Sequence, residues 1–407
     1  MNRPLEGLLV LEFCQFLAGP SAGLKLADLG ARVIKIERPK TGDACRALSI
    51  KNLFVNTCHA DEGSICSTGD QEDSLLFHTI NRNKESYTAD LKNPEDLERL
   101  KKLISRADVM THNFRPGVME KIGLDYGNVR KINPKIVYGV VSGYGNDGPW
   151  KNKPGQDLLV QSVSGLTFLS GVDVDGPVPF GLSVSDIMCG NHLAQGIMAA
   201  LIKRAKTGKS VLVEVSLLES ILDVQFEVLT TYLNDGGKLP DRSGAKGSAH
   251  AYLSAPYGMY ETNDGHIAMA MGNLPNICAI INCDITDLYV EAGSAFENRD
   301  QLILRLAETF KKQNTKYWVD LLENHGIWCA EVLNYQTATA LSTYKKLQIE
   351  QQLDLGDGKK IRTTVSPIRL DHEKLFAAKA APKLGFDTAD INKEFELTQT
   401  VISTETQ

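Results

Sequence analysis

The 407-residue chain has no apolar run that approaches the ~18 residues needed for a membrane-spanning helix. Its first residues, MNRPLEGLLVLEF, also lack the long apolar segment and small-residue cleavage site of a secretory signal. Basic residues are not in excess, since the formal net charge is -6, and this argues against nucleic acid as a general partner. We therefore expect a cytoplasmic protein that binds neither membranes nor nucleic acid.

Patterns typical of metal sites are also missing. The chain has eight cysteines without a C-x-x-C pair, and eight histidines without an H-E-x-x-H or H-x-H arrangement. Scattered cysteines in a chain of this size without an export signal indicate free thiols rather than disulfides. We expect no metal site.

Alternating strand and helix patterns are present in the first half of the chain. Residues 8–13, LLVLEF, are typical of a buried strand, Ser21 can begin a helix that runs to Gly30, and ARVIKIE forms the next strand. This β-α-β unit predicts an α/β fold with a doubly wound, Rossmann-like parallel sheet. Its ligand crevice should lie at the carboxyl ends of the strands.

Further elements can be predicted along the chain. Residues 44–74 are polar with little periodicity and should form a surface loop, and Asn93 followed by Pro94 should begin a helix. VLVEVS is typical of a strand, and residues 216–234, SLLESILDVQFEVLTTYLN, of a single long helix. A hairpin is expected around Gly356 and Gly358.

A dinucleotide-binding site is the first alternative to consider. Glu37 ends the second strand, where an acid that binds a ribose would lie, but the first turn lacks G-x-G-x-x-G. Residues 143–148, GYGNDG, match that pattern after the strand KIVYGVV, yet they run into Pro149 and Trp150 instead of a helix. The pattern favours a glycine turn at the end of a strand.

One acidic residue stands at the start of a long apolar helix. Leu193 and Ile197 belong to an apolar face with helical spacing, and Gly208 follows basic residues at the predicted C-terminal end. Ser183 or Ser185 can serve as the N-cap, which places Asp186 in the first turn, where we expect it to stay ionised unless its burial is severe. The spacing alone fits both an ordinary first-turn acid and a nucleophilic carboxylate.

The order of short motifs along almost the whole chain resembles the class III CoA-transferases, the formyl-CoA transferase or CaiB/BaiF type. In chain order these motifs are PLEGLLVLEF, LADLGA, VIKIERP, NRNK, ADLK, NFRPGVMEKIGL, NPKIVYG, SGYG and the R-x-x-T-G at the end of the Asp186 helix. The resemblance implies a large CoA-binding domain at residues 1–225, completed by 335–407, a linker at 226–250 and a small α+β domain at 251–334. It also implies an interlocked homodimer.

The same resemblance assigns the chemistry. Asp186 would attack the acyl-CoA thioester, giving an acyl-aspartyl anhydride and then an aspartyl-CoA thioester, and the acceptor acid would reverse these steps. Coenzyme A and small carboxylic acids are then substrates, with no permanently bound cofactor. The positions that match the CoA-binding segments are Leu17, Ala18, Arg38, Ala89, Asp90, Leu91, Lys92, Asn113, Phe114, Arg115, Lys121, Pro154, Gly155, Gln156 and Asp157. The cations among them suit the phosphates of CoA.

Two positions depart from known members of that family. Leu17 stands where transferases that use oxalate tend to have Gln, and the second domain shows no glycine-rich loop, so oxalate is disfavoured. Gln156 stands where the related α-methylacyl-CoA racemases have a His, and an amide cannot shuttle protons as an imidazole does. An acyl-CoA racemase or isomerase and a non-catalytic CoA-binding protein remain the alternatives to a CoA-transferase.

Overall fold

A computed structural model describes residues 3–48, 73–356 and 358–397. The surface loop predicted at 44–74 lies mostly outside the described residues, apart from a short 3₁₀ helix at Ala44–Ala47. The chain forms two compact units. The first comprises 1–160, 183–221 and 347–407, and the second comprises 161–182 and 222–346.

A six-stranded parallel sheet forms the centre of the first unit. Its strands are β1 (Leu9–Phe13), β2 (Arg32–Glu37), β3 (Lys84–Thr88), β4 (Val109–His112), β5 (Val137–Ser142) and β6 (Val211–Ser216). They are arranged in the order β3-β2-β1-β4-β5-β6. The predicted doubly wound sheet is confirmed, and its strand order reverses between β1 and β4.

Helices cover the sheet because their apolar faces match the apolar strands. They are α1 (Ala18–Asp28), α2 (Leu75–Asn81), α3 (Pro94–Arg106), α4 (Val118–Lys121), α5 (Tyr126–Ile132), α6 (Asp157–Val163), α7 (Val184–Thr207) and α8 (Leu217–Val224). The predicted start of α3 is confirmed, since the Asn93 side chain accepts a hydrogen bond from the Glu95 N–H and Pro94 is the first helical residue. Leu100 and Leu103 of α3 are fully buried with Leu11 and Met110 of the strands.

The C-terminal segment packs on the outer edge of this sheet. The Ser86 N–H donates to the Asp387 carboxylate at 2.8 Å, and the Thr88 N–H donates to the Thr388 hydroxyl at 3.0 Å. The segment also supplies a hairpin that was expected around Gly356 and Gly358. The elements of the segment are β10 (Glu350–Gly356), β11 (Lys359–Thr364), β12 (Arg369–Leu370), β13 (Glu373–Lys374) and α16 (Thr388–Glu394).

The second unit has its own apolar core, around Tyr260, Leu306 and Phe310. Its antiparallel sheet contains β7 (Gly258–Glu261), β8 (His266–Met269) and β9 (Cys329–Glu331). Its helices are α9 (Phe226–Asn234), α10 (Leu274–Ile280), α11 (Ser294–Glu297), α12 (Arg299–Phe310), α13 (Thr315–Asn324), α14 (Tyr335–Ala340) and α15 (Ser342–Leu347).

The residues between the predicted domains differ from a continuous helix followed by a linker. The single long helix expected over 216–234 is two helices, α8 and α9, that meet at Gln225. The predicted linker at 226–250 therefore begins with nine helical residues. Residues 161–182 also belong to the second unit, although they lie between two parts of the first in sequence.

Candidate active site

The loops after β1 and β4 are tied together where the strand order of the sheet reverses. The Gln15 N–H donates to Asn113 Oδ1 at 2.9 Å, and Asn113 Nδ2 donates to the Gln15 carbonyl at 2.7 Å. Such a reversal leaves a crevice at the carboxyl ends of the strands, which is the usual ligand site of an open α/β sheet. The structure therefore places the predicted residue Asn113 beside the turn that contains Leu17 and Ala18.

Close helix packing carries Asp186 to the same region. Gly190 of α7 lies against the start of α1, since a Cβ atom there would be 1.9 Å from Ser21 Oγ and 2.6 Å from the Ala18 carbonyl oxygen. Asp186 lies one turn before Gly190, in the first turn of α7. The predicted C-terminal end of this helix at Gly208 is confirmed, with the glycine in the left-handed conformation at φ 66°.

The N-terminus of α7 is capped by Asp157 and not by a nearby serine. Ser183 is the N-cap residue, which is one of the two expected alternatives, but its side chain makes no hydrogen bond to the helix, and Ser185 lies inside the helix. Instead, Asp157 Oδ1 accepts the N–H of Ser185 at 2.7 Å and the N–H of Asp186 at 3.3 Å. A carboxylate at this position satisfies backbone donors that a helix start leaves unpaired.

The charge of Asp186 depends on its burial. Burial raises the pKa of Asp186 to about 7, and repulsion from the Asp157 carboxylate adds to the rise. The condition attached to the expected ionised form therefore applies, and Asp186 is only partly ionised near neutral pH in the free protein. The neighbouring Cys189 thiol is neutral, because burial raises its pKa to about 12.

Glycines hold the loop that carries Asp157 against the end of β5. Gly143 and Gly155 touch through their backbones, since a Cβ atom at Gly143 would lie 2.7 Å from the Cα atom of Gly155. Gly145 and Gly148 adopt left-handed conformations, at φ 90° and 81°. The GYGNDG stretch is thus the predicted glycine turn, and it positions the loop before α6.

Glu37 is already bound by protein groups and does not serve as a ribose acceptor. Its two carboxylate oxygens accept hydrogen bonds from Arg46, at 2.7 and 2.8 Å, and from the Ser86 hydroxyl at 2.6 Å. The Asp43 N–H is a further donor at 2.9 Å. The dinucleotide alternative thus lacks both its phosphate loop and its acid.

A buried charge network supports the first turn of the crevice, and sequence reasoning missed it. Lys84 Nζ contacts Glu12 at 2.8 Å and donates to the Pro20 carbonyl at 2.8 Å, while Lys35 Nζ donates to the Cys14 carbonyl at 2.8 Å. Lys35 also pairs with Asp43 at 2.8 Å, and all four charged side chains are buried. Burial lowers the pKa of Lys84 to about 8, against the opposing effect of Glu12. The network holds both ends of the loop between β1 and α1.

The predicted CoA-binding residues follow the carboxyl ends of neighbouring strands. Arg38 follows β2, residues 89–92 follow β3, residues 113–115 follow β4, and Lys121 ends α4. Arg38, Arg115 and Lys121 are exposed, and none forms an ion pair with a carboxylate in the part of the chain that the structure describes. From β3 to β5 the edge spans four strand spacings, roughly 19 Å, which suits an extended ligand.

The remaining predicted positions differ in accessibility. Ala18 and Ala89 are buried, whereas Leu17, Leu91, Asn113, Phe114 and Asp157 are half-buried, and Asp90, Lys92, Pro154, Gly155 and Gln156 are exposed. Phe114 stacks on His112 with 6.3 Å between the ring centroids. Leu17 packs on a small apolar cluster that contains Phe77 and Ile80.

Comparison with known proteins decides the family. The profile of CoA-transferase family III matches residues 5–388. The chain belongs to this family. It is 31% identical to succinyl-CoA:glutarate CoA-transferase of Homo sapiens over 96% of this chain and 86% of that protein. It is 32% identical to acetyl-CoA:oxalate CoA-transferase of Acetobacter aceti over 96% of each.

A solved structure of a family III relative shows the same fold. A CaiB/BaiF family protein from Brucella suis superposes with a TM-score of 0.80 at 30% identity, covering 97% of this chain and 100% of that chain. The protein is therefore an enzyme, a CoA-transferase, and the predicted resemblance is confirmed. The family assignment therefore favours an enzyme over the alternative of a non-catalytic CoA-binding protein.

The described residues contain neither a membrane-spanning helix nor a cluster of metal-binding side chains. No helix among them is both long and apolar enough to cross a membrane. Within the same residues, no group of three or more His, Cys, Asp or Glu is arranged to hold a metal ion.

Proposed function

We propose that this CoA-transferase moves CoA between two carboxylic acids through covalent intermediates on Asp186. The observation that supports this most is the position of Asp186, half-buried in the first turn of α7, beside the crevice where the strand order reverses. A carboxylate there can reach a ligand bound across the strand ends. Its ionised form is the nucleophile.

The proposed reaction balances without an external reagent. An Asp186 oxygen attacks the thioester carbonyl and the C–S bond breaks. CoA departs as the thiolate, and an acyl-aspartyl anhydride remains on the enzyme. The thiolate then attacks the aspartyl carbonyl, which releases the donor acid and forms an aspartyl-CoA thioester. The acceptor carboxylate attacks this thioester, and the returning thiolate attacks the acceptor's carbonyl, giving the new acyl-CoA and free Asp186.

The crevice edge supports the proposed CoA site. The exposed cations Arg38, Arg115 and Lys121 have no carboxylate partner among the described residues, so they are available to the pyrophosphate and ribose phosphate of CoA. Asn113 is held in place by its paired hydrogen bonds with Gln15. The CoA nucleotide then lies along the strand ends, with its thioester directed toward Asp186.

We propose short dicarboxylic acids as the acyl groups, with succinyl-CoA as donor and glutarate as acceptor for the first assays. The human relative acts on this pair by its name. Leu17 packs on an apolar cluster and offers no hydrogen bond to a compact dianion such as oxalate. The longer methylene chain of glutarate suits that surface better.

Replacement of Asp186 tests this proposal. Asp186→Ala should abolish the exchange of CoA between succinyl-CoA and glutarate, because no nucleophile remains, while the dissociation constant for CoA stays within about twofold of wild type. Exchange is followed by mass spectrometry of the CoA esters, and binding by calorimetry. An Asp186→Ala protein that still turns over would refute the assignment.

Racemisation is the second candidate, because related racemases share the fold. Gln156 is an exposed amide at the position where those enzymes carry an imidazole base. Solvent deuterium that enters the α-carbon of a branched acyl-CoA, without exchange of CoA, would favour this candidate. We expect no such incorporation.

We also propose that the enzyme is a homodimer. Large apolar side chains are exposed on the second unit, including Phe226 at 70%, Trp328 at 78% and Tyr335 at 87%. None of the residues of α9 is buried within the chain. Apolar surface of this kind is typical of protein interfaces.

A further inference from the structure

We propose that Asp157 is a positioning residue that orients Asp186 and controls its charge, and does not bind CoA. This inference rests on the proposed role of Asp186 as the nucleophile. It replaces the role that the family resemblance implied for Asp157. The argument depends on hydrogen bonds, on the anchoring of the loop and on the charges near Asp186.

The hydrogen bonds place the Asp157 carboxylate directly on the nucleophile's backbone. Its Oδ1 atom accepts the N–H of Asp186 at 3.3 Å and that of Ser185 at 2.7 Å. Ser183 makes no side-chain cap, so Asp157 is the group that holds the first turn of α7. A shift of Asp157 therefore shifts the Cα atom from which the Asp186 carboxyl projects.

The position of Asp157 is itself fixed by packing. Gly155, two residues earlier, lies against Gly143 at the end of β5 without room for a side chain. Three residues later, Val160 is fully buried, and its N–H donates to the Gln156 carbonyl at 3.0 Å. The cap is thus anchored to the sheet on one side and to the core on the other. The position of Asp186 therefore depends on the end of β5, through the contact of Gly143 with Gly155 and the hydrogen bonds of Asp157.

The charge of Asp157 acts on the same carboxyl group. Among the described residues, Asp157 on α6 is the charged group that acts on Asp186, and it has the same sign. On α7 itself, Cys189 is close but neutral, because burial raises its pKa to about 12. At Gly190, one turn after Asp186, the nearest groups of α1 are the Ser21 hydroxyl and the Ala18 carbonyl, which do not titrate. Repulsion from Asp157 therefore adds to burial in holding the Asp186 pKa near 7.

Two substitutions separate the cap from the charge. Asp157→Asn keeps an oxygen that can accept the two N–H groups but removes the charge, whereas Asp157→Ala removes both. We expect Asp157→Asn to move the acid limb of the kcat/KM profile to lower pH, with a smaller loss of kcat at pH 8 than in Asp157→Ala. Asp157→Ala should lower kcat at every pH by about tenfold or more, because the nucleophile is misplaced. Both variants should bind CoA with a dissociation constant within about twofold of wild type.

The opposite results would overturn the inference. An Asp157→Asn enzyme with the wild-type pH profile would show that the charge of Asp157 does not act on the nucleophile. CoA affinity reduced about tenfold in Asp157→Asn, with an unchanged pH profile, would instead make Asp157 a CoA contact.

A direct titration separates this inference from the proposed function. The Asp186 carboxyl carbon can be followed by ¹³C NMR in the full-length protein, with its signal assigned by loss in Asp186→Asn. Its titration midpoint should be lower in Asp157→Asn than in wild type, even if the succinyl-CoA and glutarate pair shows no turnover. An identical midpoint in the two proteins would refute control of charge by Asp157, whatever the substrate is.

Discussion

In the proposed mechanism the Asp186 carboxyl must lose its proton before it attacks a thioester, and two features of its surroundings resist that loss. The side chain is half-buried, and the Asp157 carboxylate lies at the same helix start. The first-turn N–H groups, which would otherwise favour the ionised form, are already bound to Asp157. The burial of Asp186 and its proximity to Asp157 therefore predict a nucleophile that gains or loses its charge near neutral pH.

This predicts the pH dependence of exchange. Because burial and Asp157 raise the Asp186 pKa to about 7, the carboxyl is neutral and unreactive below that pH and ionised above it. We expect kcat/KM to fall about tenfold per pH unit below pH 6 and to level off above pH 8. The profile is measured from pH 5 to 9 with succinyl-CoA and glutarate. A profile flat down to pH 5 would show that Asp186 is ionised throughout, contrary to the environment described above.

Backbone contacts between elements determine where these side chains meet. The α1–α7 contact at Gly190 places the nucleophile's helix beside the first turn of the crevice. The contact between Gly143 and Gly155 places the capping carboxylate. At both positions a methyl group would collide with backbone atoms, and backbone cannot move away as a flexible side chain can.

Gly190→Ala tests the helix contact. Alanine favours an isolated helix by about 1 kcal/mol over glycine, yet its Cβ atom would lie 2.6 Å from the Ala18 carbonyl oxygen. We expect a lower melting temperature and at least a tenfold loss of kcat/KM, because α7 must move away from α1. Gly293→Ala is the matched control, since Gly293 has a helical φ of -64° and open space at its Cβ position. If Gly190→Ala behaved like this control, the contact would not position Asp186.

Elements with a clear apolar pattern were predictable, whereas contacts between distant residues were not. LLVLEF and ARVIKIE form strands as expected, because their apolar runs match a buried parallel sheet. VLVEVS also forms a strand as expected, at the edge of the sheet. The strand KESYT was missed, since Lys84 is a core residue through its bonds to Glu12, Asn81 and the Pro20 carbonyl. The cap of α7 was missed for a similar reason. Asp157 lies far before Asp186 in the sequence, and nearby serines offered a local cap that the structure does not use.

The whole molecule combines a doubly wound unit that carries the site with a smaller unit that exposes apolar side chains. The doubly wound parallel sheet of the first unit was predictable from the first β-α-β unit. The assignment of 161–182 was harder to predict, because they belong to the second unit although they lie between two parts of the first in sequence. This assignment depends on tertiary packing, which local patterns do not report.

The exposed apolar surface predicts the oligomeric state. We expect a homodimer of about twice the chain mass of 44.6 kDa in sedimentation velocity at micromolar concentration. Trp328→Glu and Phe226→Glu should weaken the dimer, because they put charge on the exposed apolar side chains. Ser105→Glu on α3 adds the same single negative charge at an exposed neutral residue and should leave the mass unchanged. A wild-type monomer at these concentrations would contradict the assignment.

The central claim is that Asp186 itself carries the transferred groups. The most direct measurement is to mix the enzyme with succinyl-CoA without an acceptor, quench it with acid and analyse its peptides by mass spectrometry. We predict a CoA thioester on the peptide that contains Asp186, converted to a hydroxamate at that residue by hydroxylamine. An active enzyme that forms its covalent adduct on a different residue would contradict the account.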